Sequence, residues 1–150
     1  EFRQGDIENM PLAGNIADVV VSNCVLNLVP NKKQVLAETF RILKKGGHFS
    51  VSDIVLVGDL PEGLKESAEM YAGCVAGAIQ FHDYLDLIKE MGFVNIKAQR
   101  TKRIVLPDEI LSKYLSEDEV TNSRTGTAGI FSTTVYAEKP VECCPPGCCN

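Results

Sequence analysis

Short apolar runs alternate along this chain with segments whose apolar residues recur at helical spacing. The first run, Val19 to Val21, is led by Asp18 and is rich in β-branched residues, which indicates a buried strand. It breaks into a loop of small and polar residues: Ser22, Asn23 and Cys24. Strands that alternate with helices in this way predict βαβ units around a mostly parallel sheet.

Turn and capping signals set the bounds of the other predicted elements. Asn31 is a helix N-cap, and the helix after it should end at Lys45, because Gly46-Gly47 supplies a left-handed stop. The remaining predictions are a strand from His48 to Leu56, helices from Leu64 to about Ala78 and from about Asp83 to Met91, a strand from Phe93 to Leu106, a short helix from Pro107 to about Leu115, a loop from Ser116 to Gly129, and a strand from Ile130 to Lys139. The last two strands are long and lack a strong helix pattern between them, so we expect an antiparallel pair at one sheet edge.

Composition and charge narrow the class of protein. A chain of 150 residues is the size of one domain, and its formal net charge of -5 argues against a nucleic-acid partner. No apolar run is long enough to span a bilayer and no export signal is recognisable, so we expect a cytoplasmic protein without a membrane partner. The chain starts at Glu1 and soon enters a strand that looks internal to a larger sheet. We therefore expect the carboxyl-terminal part of a bigger domain.

Two cysteines are the leading candidates for chemistry. Cys24 follows a predicted strand, where ligands of open α/β sheets bind, and Cys74 lies between Gly73 and Gly77, which weaken the helix there. Thiols in such places indicate soft-ligand chemistry beside a nucleotide-type pocket. A single unpaired cysteine is, however, more often a small buried hydrophobe. Asp6 has a similar alternative, because it could simply cap a turn after Gly5.

Several motifs together resemble one family. The segment Gly5-Asp6-Ile7 and the segment Arg41 to Gly47 resemble the later half of class I S-adenosylmethionine-dependent methyltransferases. The segments Ser22 to Leu28 and Tyr71 to Cys74 are similar to those of arsenite methyltransferases within that class. The resemblance covers essentially the whole chain. It implies an α/β, Rossmann-like, three-layer αβα sandwich, with residues 1–140 as the carboxyl-terminal part of the domain and 141–150 as a flexible tail.

The resemblance also implies an activity, which is transfer of a methyl group from S-adenosylmethionine to trivalent arsenic, with a thiol reductant as partner. Arsenite or its thiol conjugate would be held by the thiolates of Cys24 and Cys74. The implied cofactor-binding residues are Asp6 at the adenine amino group, the backbone of Ile7 at the ring nitrogen, and the backbone of Ser22 and Asn23 at the methionine end. The family's glycine-rich loop, its ribose-binding acid and a further cysteine would lie upstream of Glu1. We therefore expect the 150-residue chain to be inactive alone.

The cysteine-rich tail leaves three interpretations open. It contains two pairs of adjacent cysteines, Cys143-Cys144 and Cys148-Cys149. A structural zinc site is the first interpretation, but adjacent cysteines do not match the C-x-x-C spacing of zinc knuckles, so the sequence supports it only weakly. A disulfide is the second interpretation, and capture of arsenic for delivery to the inner site is the third.

For the whole chain, two alternatives to arsenite methylation remain: another small-molecule methyltransferase with incidental cysteines, and a non-catalytic thiol module that binds a metalloid or metal.

Overall fold

The computed structural model describes residues 1–60, 75–113, 116–117, 120–121 and 127–141. The strands are β1 (Ala17–Asn23), β2 (Leu43–Val57), β3 (Val94–Arg103) and β4 (Gly129–Glu138). The helices are α1 (Lys32–Ile42), α2 (Phe81–Glu90) and the short α3 (Asp108–Leu111), and a 3-10 helix, η1, spans Leu26–Leu28. None of the helices in these residues is long and apolar enough to cross a membrane.

The four strands form one mixed sheet in the order β1-β2-β4-β3. β1 pairs with β2 in parallel, whereas β4 pairs antiparallel with both β2 and β3. The predicted antiparallel pair at one edge of the sheet is therefore confirmed. Its strands are Val94–Arg103, shorter than predicted, and Gly129–Glu138.

The long strand β2 has apolar side chains on both faces of the sheet, and on each face they pack against a helix. On one face, Phe49 and Val51 pack in a cluster with residues of α1 and α2, including Leu36 and Ile88. On the other face, Ile54 and Leu56 pack with Leu106 and with Leu111 of α3. Because helices cover both faces of the sheet, the architecture is the predicted αβα arrangement.

The predicted end of α1 is wrong. The helix ends at Ile42 rather than Lys45, because Leu43 adopts an extended backbone and is completely buried at the start of β2. Lys44 does not face the helix dipole; its Nζ instead contacts the Asp18 carboxylate of β1 at 2.8 Å. Gly46 does take a left-handed φ of +78°, but within β2, next to the point where the pairing register with β1 shifts.

Other element predictions need smaller corrections. β1 is not buried: Val19 and Val21 are 48% and 75% exposed, because β1 lies at the edge of the sheet. The predicted second helix falls mostly on residues 61–74, outside the described residues, and its described end, 75–77, is a turn. Among the described residues of the predicted loop from Ser116, the Val120 amide donates to the Ser116 carbonyl at 3.0 Å.

A buried lysine holds the end of α1 against the last strand. Lys139 is 6% exposed, and its ammonium group donates three hydrogen bonds of 2.8 Å. The acceptors are the Phe40 and Leu43 carbonyls at the end of α1 and Oδ1 of Asn15. The ammonium also lies 4.8 Å from the centre of the Phe40 ring. A cation thus satisfies carbonyls that a helix leaves without partners in its last turn.

Replacing this lysine should be costly to stability. We expect Lys139→Met to lower the free energy of unfolding by about 2 to 4 kcal/mol, because it leaves buried carbonyls without donors. Lys44→Met is the matched control, since it removes an exposed ion pair worth about 1 kcal/mol or less. Urea unfolding of the two variants measures the difference. Equal losses would contradict the assigned role of Lys139.

Candidate functional site

Cys24 follows the last residue of β1, at the carboxyl end of the parallel strand pair. Its side chain is half-buried, and its backbone lies in the left-handed region with a φ of +55°. That conformation is uncommon for a residue with a Cβ and persists only where its surroundings enforce it. The Cys24 amide donates to the Ser52 carbonyl of β2 at 2.8 Å, which continues the β1–β2 pairing by one residue.

The loop after Cys24 contains η1 and is packed closely by a distant glycine. Asn27 of η1 is buried, and its Nδ2 donates to the Ile54 carbonyl at 2.7 Å. A Cβ at Gly77 would overlap the Asn27 carbonyl oxygen, so the backbone can approach this closely only because residue 77 is glycine. The structure thus brings the chain three residues after Cys74 against the chain three residues after Cys24. Cys74 itself lies outside the described residues.

Two buried polar side chains lie next to this loop. Asp53 and Tyr84 are each 2% exposed, and Asp53 Oδ2 and the Tyr84 hydroxyl have no hydrogen-bond partner within the described part of the chain. Burial raises the pKa of Asp53, and the amides of Ile54, Leu26 and Asn27 together with Lys32 oppose that rise. Burial also raises the pKa of Tyr84, and the Asp53 charge adds to the effect. No sequence motif pointed to either residue.

The loop before β1 carries Asp6 and Ile7. Asp6 is exposed, and its Oδ1 accepts from the Glu8 amide at 2.9 Å, so this side chain does cap a turn. The same loop lines a cleft of about 440 Å³, whose walls include the Asp6 side chain and apolar side chains. The apolar lining residues are Ile7, Met10, Leu12, Pro11 and Ile16.

A bidentate ion pair on α1 holds this loop in place. Arg41 Nε and Nη2 donate to the two carboxylate oxygens of Glu38 at 2.7 Å each. Glu38 also accepts from the Met10 amide at 2.9 Å, and Arg41 donates to the Leu12 carbonyl at 2.8 Å. The hydrogen bonds from Arg41 lower the pKa of Glu38. This pair was missed from the sequence; its i,i+3 spacing in a helix could have indicated it, but not its contacts with the loop.

The loop that carries Asp6 contacts the loop that follows Cys24 at the start of α1. Glu8, two residues after Asp6, accepts from the Asn31 amide at 2.9 Å, and Asn31 caps the helix that follows the Cys24 loop. Ser22, Asn23 and Cys24 are consecutive at the end of β1. The tail cysteines Cys143, Cys144, Cys148 and Cys149 lie outside the described residues. In the part that the structure describes, no group of three or more His, Cys, Asp or Glu residues could hold a metal ion.

Comparison with known proteins decides the family. A family model described as a methyltransferase domain matches residues 1–105. The chain belongs to the methyltransferase domain family. Its predicted class I, Rossmann-like fold is confirmed by a solved arsenic(III) S-adenosylmethionine methyltransferase from Chlamydomonas reinhardtii, with a TM-score of 0.72 and 30% identity. That match covers 96% of the present chain and 44% of the algal protein.

Two of the curated relatives of the chain are named arsenite methyltransferase. An arsenite methyltransferase from Halobacterium salinarum is 32% identical over 93% of this chain, and the human arsenite methyltransferase is 34% identical over 77%. The similarity that the cysteine motifs indicated is thereby confirmed. The matches cover 34% and 32% of those relatives, so the chain spans about a third of their length.

Proposed function

We propose that this chain is part of an enzyme that transfers a methyl group from S-adenosylmethionine to trivalent arsenic held by cysteine thiolates. The observation that carries the proposal is the similarity to arsenite methyltransferases over 93% of the chain. Because the chain spans about a third of the length of those relatives, we propose that activity also requires residues beyond these 150. Cys24 and Cys74 are the proposed arsenic ligands within the chain.

The position of Cys24 supports this role. Trivalent arsenic is soft, and thiolate sulfur is the soft ligand that proteins offer. Cys24 lies at the carboxyl end of β1, where open α/β sheets bind their ligands. Gly77, which is three positions after Cys74 in the sequence, lies against Asn27 of the same loop. Two thiolates are therefore proposed to meet in one pocket, although 50 positions separate them in the sequence.

The Asp6 loop fits the adenine end of the cofactor. An exposed carboxylate can accept a hydrogen bond from an exocyclic amino group, and the cleft beside it, which Glu1 and Arg3 also line, offers the apolar side chains of Ile7 and Met10 to a flat ring. Asp6 and the backbone of Ile7 are the proposed adenine contacts, and the backbone of Ser22 and Asn23 is proposed for the methionine end. When bound, S-adenosylmethionine would supply an electrophilic methyl group on its sulfonium sulfur, and that sulfur would leave as a neutral thioether with the electron pair of the carbon–sulfur bond.

The contribution of the protein is mainly position. Three sulfur ligands on arsenic leave its lone pair free, so the cysteines have to aim that lone pair and exclude water. Two of the three ligands would come from this chain and the third from residues upstream. The tail cysteines are proposed to capture arsenite from solution and pass it inward. A thiol reductant and a reducing cytoplasm, where cysteines stay unpaired, suit this chemistry.

Arsenite titration of the chain tests the assignment of Cys24. The background variant carries Ser in place of Cys143, Cys144, Cys148 and Cys149, so that only the inner thiols respond. We expect Cys24→Ser in that background to weaken arsenite binding by at least about tenfold, because one soft ligand is lost. Protection of the remaining thiols from alkylation reports the binding. Equal affinity with and without Cys24 would favour a methyltransferase acting on another small molecule.

A further inference from the structure

The strand β2 continues beyond the end of β1, so its edge there needs other partners. β1 pairs with β2 as far as Ser52, whereas β2 runs on to Val57. Buried backbone N–H and C=O groups must find hydrogen-bond partners, and alternate residues of a strand direct theirs to the same edge. On the edge next to β1, these alternate residues are Ser52, Ile54 and Leu56. Their partners show what takes the place of β1.

The loop after β1 supplies the first two partners. The Cys24 amide donates to the Ser52 carbonyl at 2.8 Å, so the pairing continues for one residue. The next carbonyl on this edge, that of Ile54, accepts from Nδ2 of Asn27 at 2.7 Å. Asn27 is 7% exposed, so its side-chain amide takes the place that the backbone of a neighbouring strand would have.

The segment after Cys74 supplies the third partner. The Leu56 amide donates to the Ile79 carbonyl at 2.9 Å. Val75, the residue directly after Cys74 in the sequence, is 3% exposed and packs in the same cluster as Leu56. The chain that follows Cys74 is therefore fixed to β2, next to the loop that follows β1.

Asn27 and Gly77 join the two segments directly. A Cβ at residue 77 would overlap the Asn27 carbonyl oxygen, so the two backbones are in contact at this point. Asn27 thus bonds to β2 through its side chain and touches the segment after Cys74 through its backbone. In the sequence, Asn27 is three positions after Cys24 and Gly77 is three positions after Cys74.

We infer that Asn27 and Gly77 are positioning residues, whose contact sets the separation of the Cys24 and Cys74 thiols. The Asn27 side chain fixes the loop of Cys24 to β2, and the absence of a side chain at Gly77 sets how closely the other segment approaches. Two thiols hold one metalloid only at a set separation, and a preorganised pair binds without first ordering its backbone. As far as arsenic is concerned, the inference rests on the proposed function.

Amide hydrogen exchange tests the contact without arsenic. In Gly77→Ala, the Leu56 amide should exchange at least about tenfold faster, because the added methyl group pushes the segment of Ile79 away from β2, while amides of the β2–β4 ladder keep their rates. Gly47→Ala is the matched control: a Cβ at residue 47 would lie 2.9 Å from the Asp18 carbonyl oxygen, a crowded position at the start of β1. The Leu56 amide should keep its rate in that variant.

Asn27→Leu tests the same contact from the other side, and it decides the question if Gly77→Ala is too unstable to measure. It nearly keeps the buried volume but removes the donor to the Ile54 carbonyl, so the Leu56 amide should again exchange at least about tenfold faster. An unchanged Leu56 rate in either variant would overturn the inference. So would an equal acceleration across the β2–β4 ladder, which would make the contact a general contributor to stability.

Arsenite affinity then tests the effect on the thiols, in the chain that carries serine at the four tail cysteines. Gly77→Ala should weaken arsenite binding at least about tenfold when both inner thiols are present, but less than about threefold once Cys24 is serine, because a single thiol has no separation to lose. Gly47→Ala should leave the affinity within about threefold in both backgrounds. An equal loss with and without the Cys24 thiol would overturn the positioning role, since a purely structural change acts on both alike.

Failure of this inference and failure of the proposed function give different results. If Cys24→Ser does not change arsenite binding, the proposed function fails, and the exchange rates alone still decide whether Asn27 and Gly77 join the two segments. If Cys24 does bind arsenic and Gly77→Ala keeps the parental affinity, the positioning role fails and the proposed function stands.

Discussion

Replacing Cys24 by serine should reduce methyl transfer to arsenite by more than about a hundredfold, in an enzyme that completes this chain with the upstream half of the domain. Serine nearly keeps the volume of the side chain, but its hydroxyl is hard and stays protonated, so arsenic loses a ligand and its lone pair loses its direction. Even the partners of a metal ligand cost about 10- to 100-fold when they are changed, so a direct ligand should cost more. Radioactive methyl transfer at saturating cofactor measures the rate.

The tail supplies the contrasting variant. Deleting residues 143–149, which contain the four tail cysteines, should raise the arsenite concentration needed for half-maximal rate and leave the rate at saturation nearly unchanged. That split follows from a tail that captures arsenite and passes it on without touching the reacting atoms. Cofactor affinity should not change in either variant. A Cys24→Ser enzyme that methylates arsenite at nearly the parental rate would make Cys24 a core residue and would favour a different small-molecule substrate.

The elements that were predicted correctly have local causes. The β-branched run before Cys24 forms β1, and the two long strands with no strong helix pattern between them form the antiparallel pair β3 and β4. The N-cap of α1 was also readable, because the Asn31 side chain accepts from the Gln34 amide at 3.1 Å. The strand β1 and the N-cap of α1 depend on residues within a few positions of one another.

The errors have distant causes. Lys44-Lys45-Gly46-Gly47 has the composition of a helix end, but the helix stops earlier because Leu43 is drawn into the core and Lys44 into a contact with Asp18. Lys139, almost a hundred positions away, supplies the cation at that helix end. Tertiary contacts of this kind override local signals.

In the candidate site, too, the residues found from the sequence belong to local motifs, and the residues that were missed depend on contacts between distant elements. Motifs located Cys24 and Asp6, which are single residues in recognisable segments. They gave no sign of Asp53, whose environment arises only when β2 passes beside η1, or of the hydrogen bonds from the Glu38–Arg41 pair to the Asp6 loop. A buried polar residue cannot be told from an exposed one by its neighbours in sequence, because its partners come from other elements.

The strand β1 forms an exposed edge of the sheet, through which we expect the chain to associate with itself. Among the strands that the structure describes, β1 has β2 as its one neighbour, and its Val19 and Val21 are 48% and 75% exposed. An edge strand offers unpaired backbone groups to another chain, and the two valines, which point to the same side, add apolar area. We therefore expect the 150-residue chain to associate with itself through β1.

Lysines at these two positions should prevent that association. The double variant Val19→Lys and Val21→Lys should weaken self-association by at least about tenfold, because it removes apolar contact worth roughly 2 kcal/mol and places like charges on both partners. Val105→Lys is the matched control: Val105 is 61% exposed but lies beyond the other edge strand, so association should persist. Sedimentation velocity over a range of concentrations measures both variants. If the parent chain is already a monomer at high concentration, or if Val105→Lys dissociates it equally well, β1 is not the associating edge.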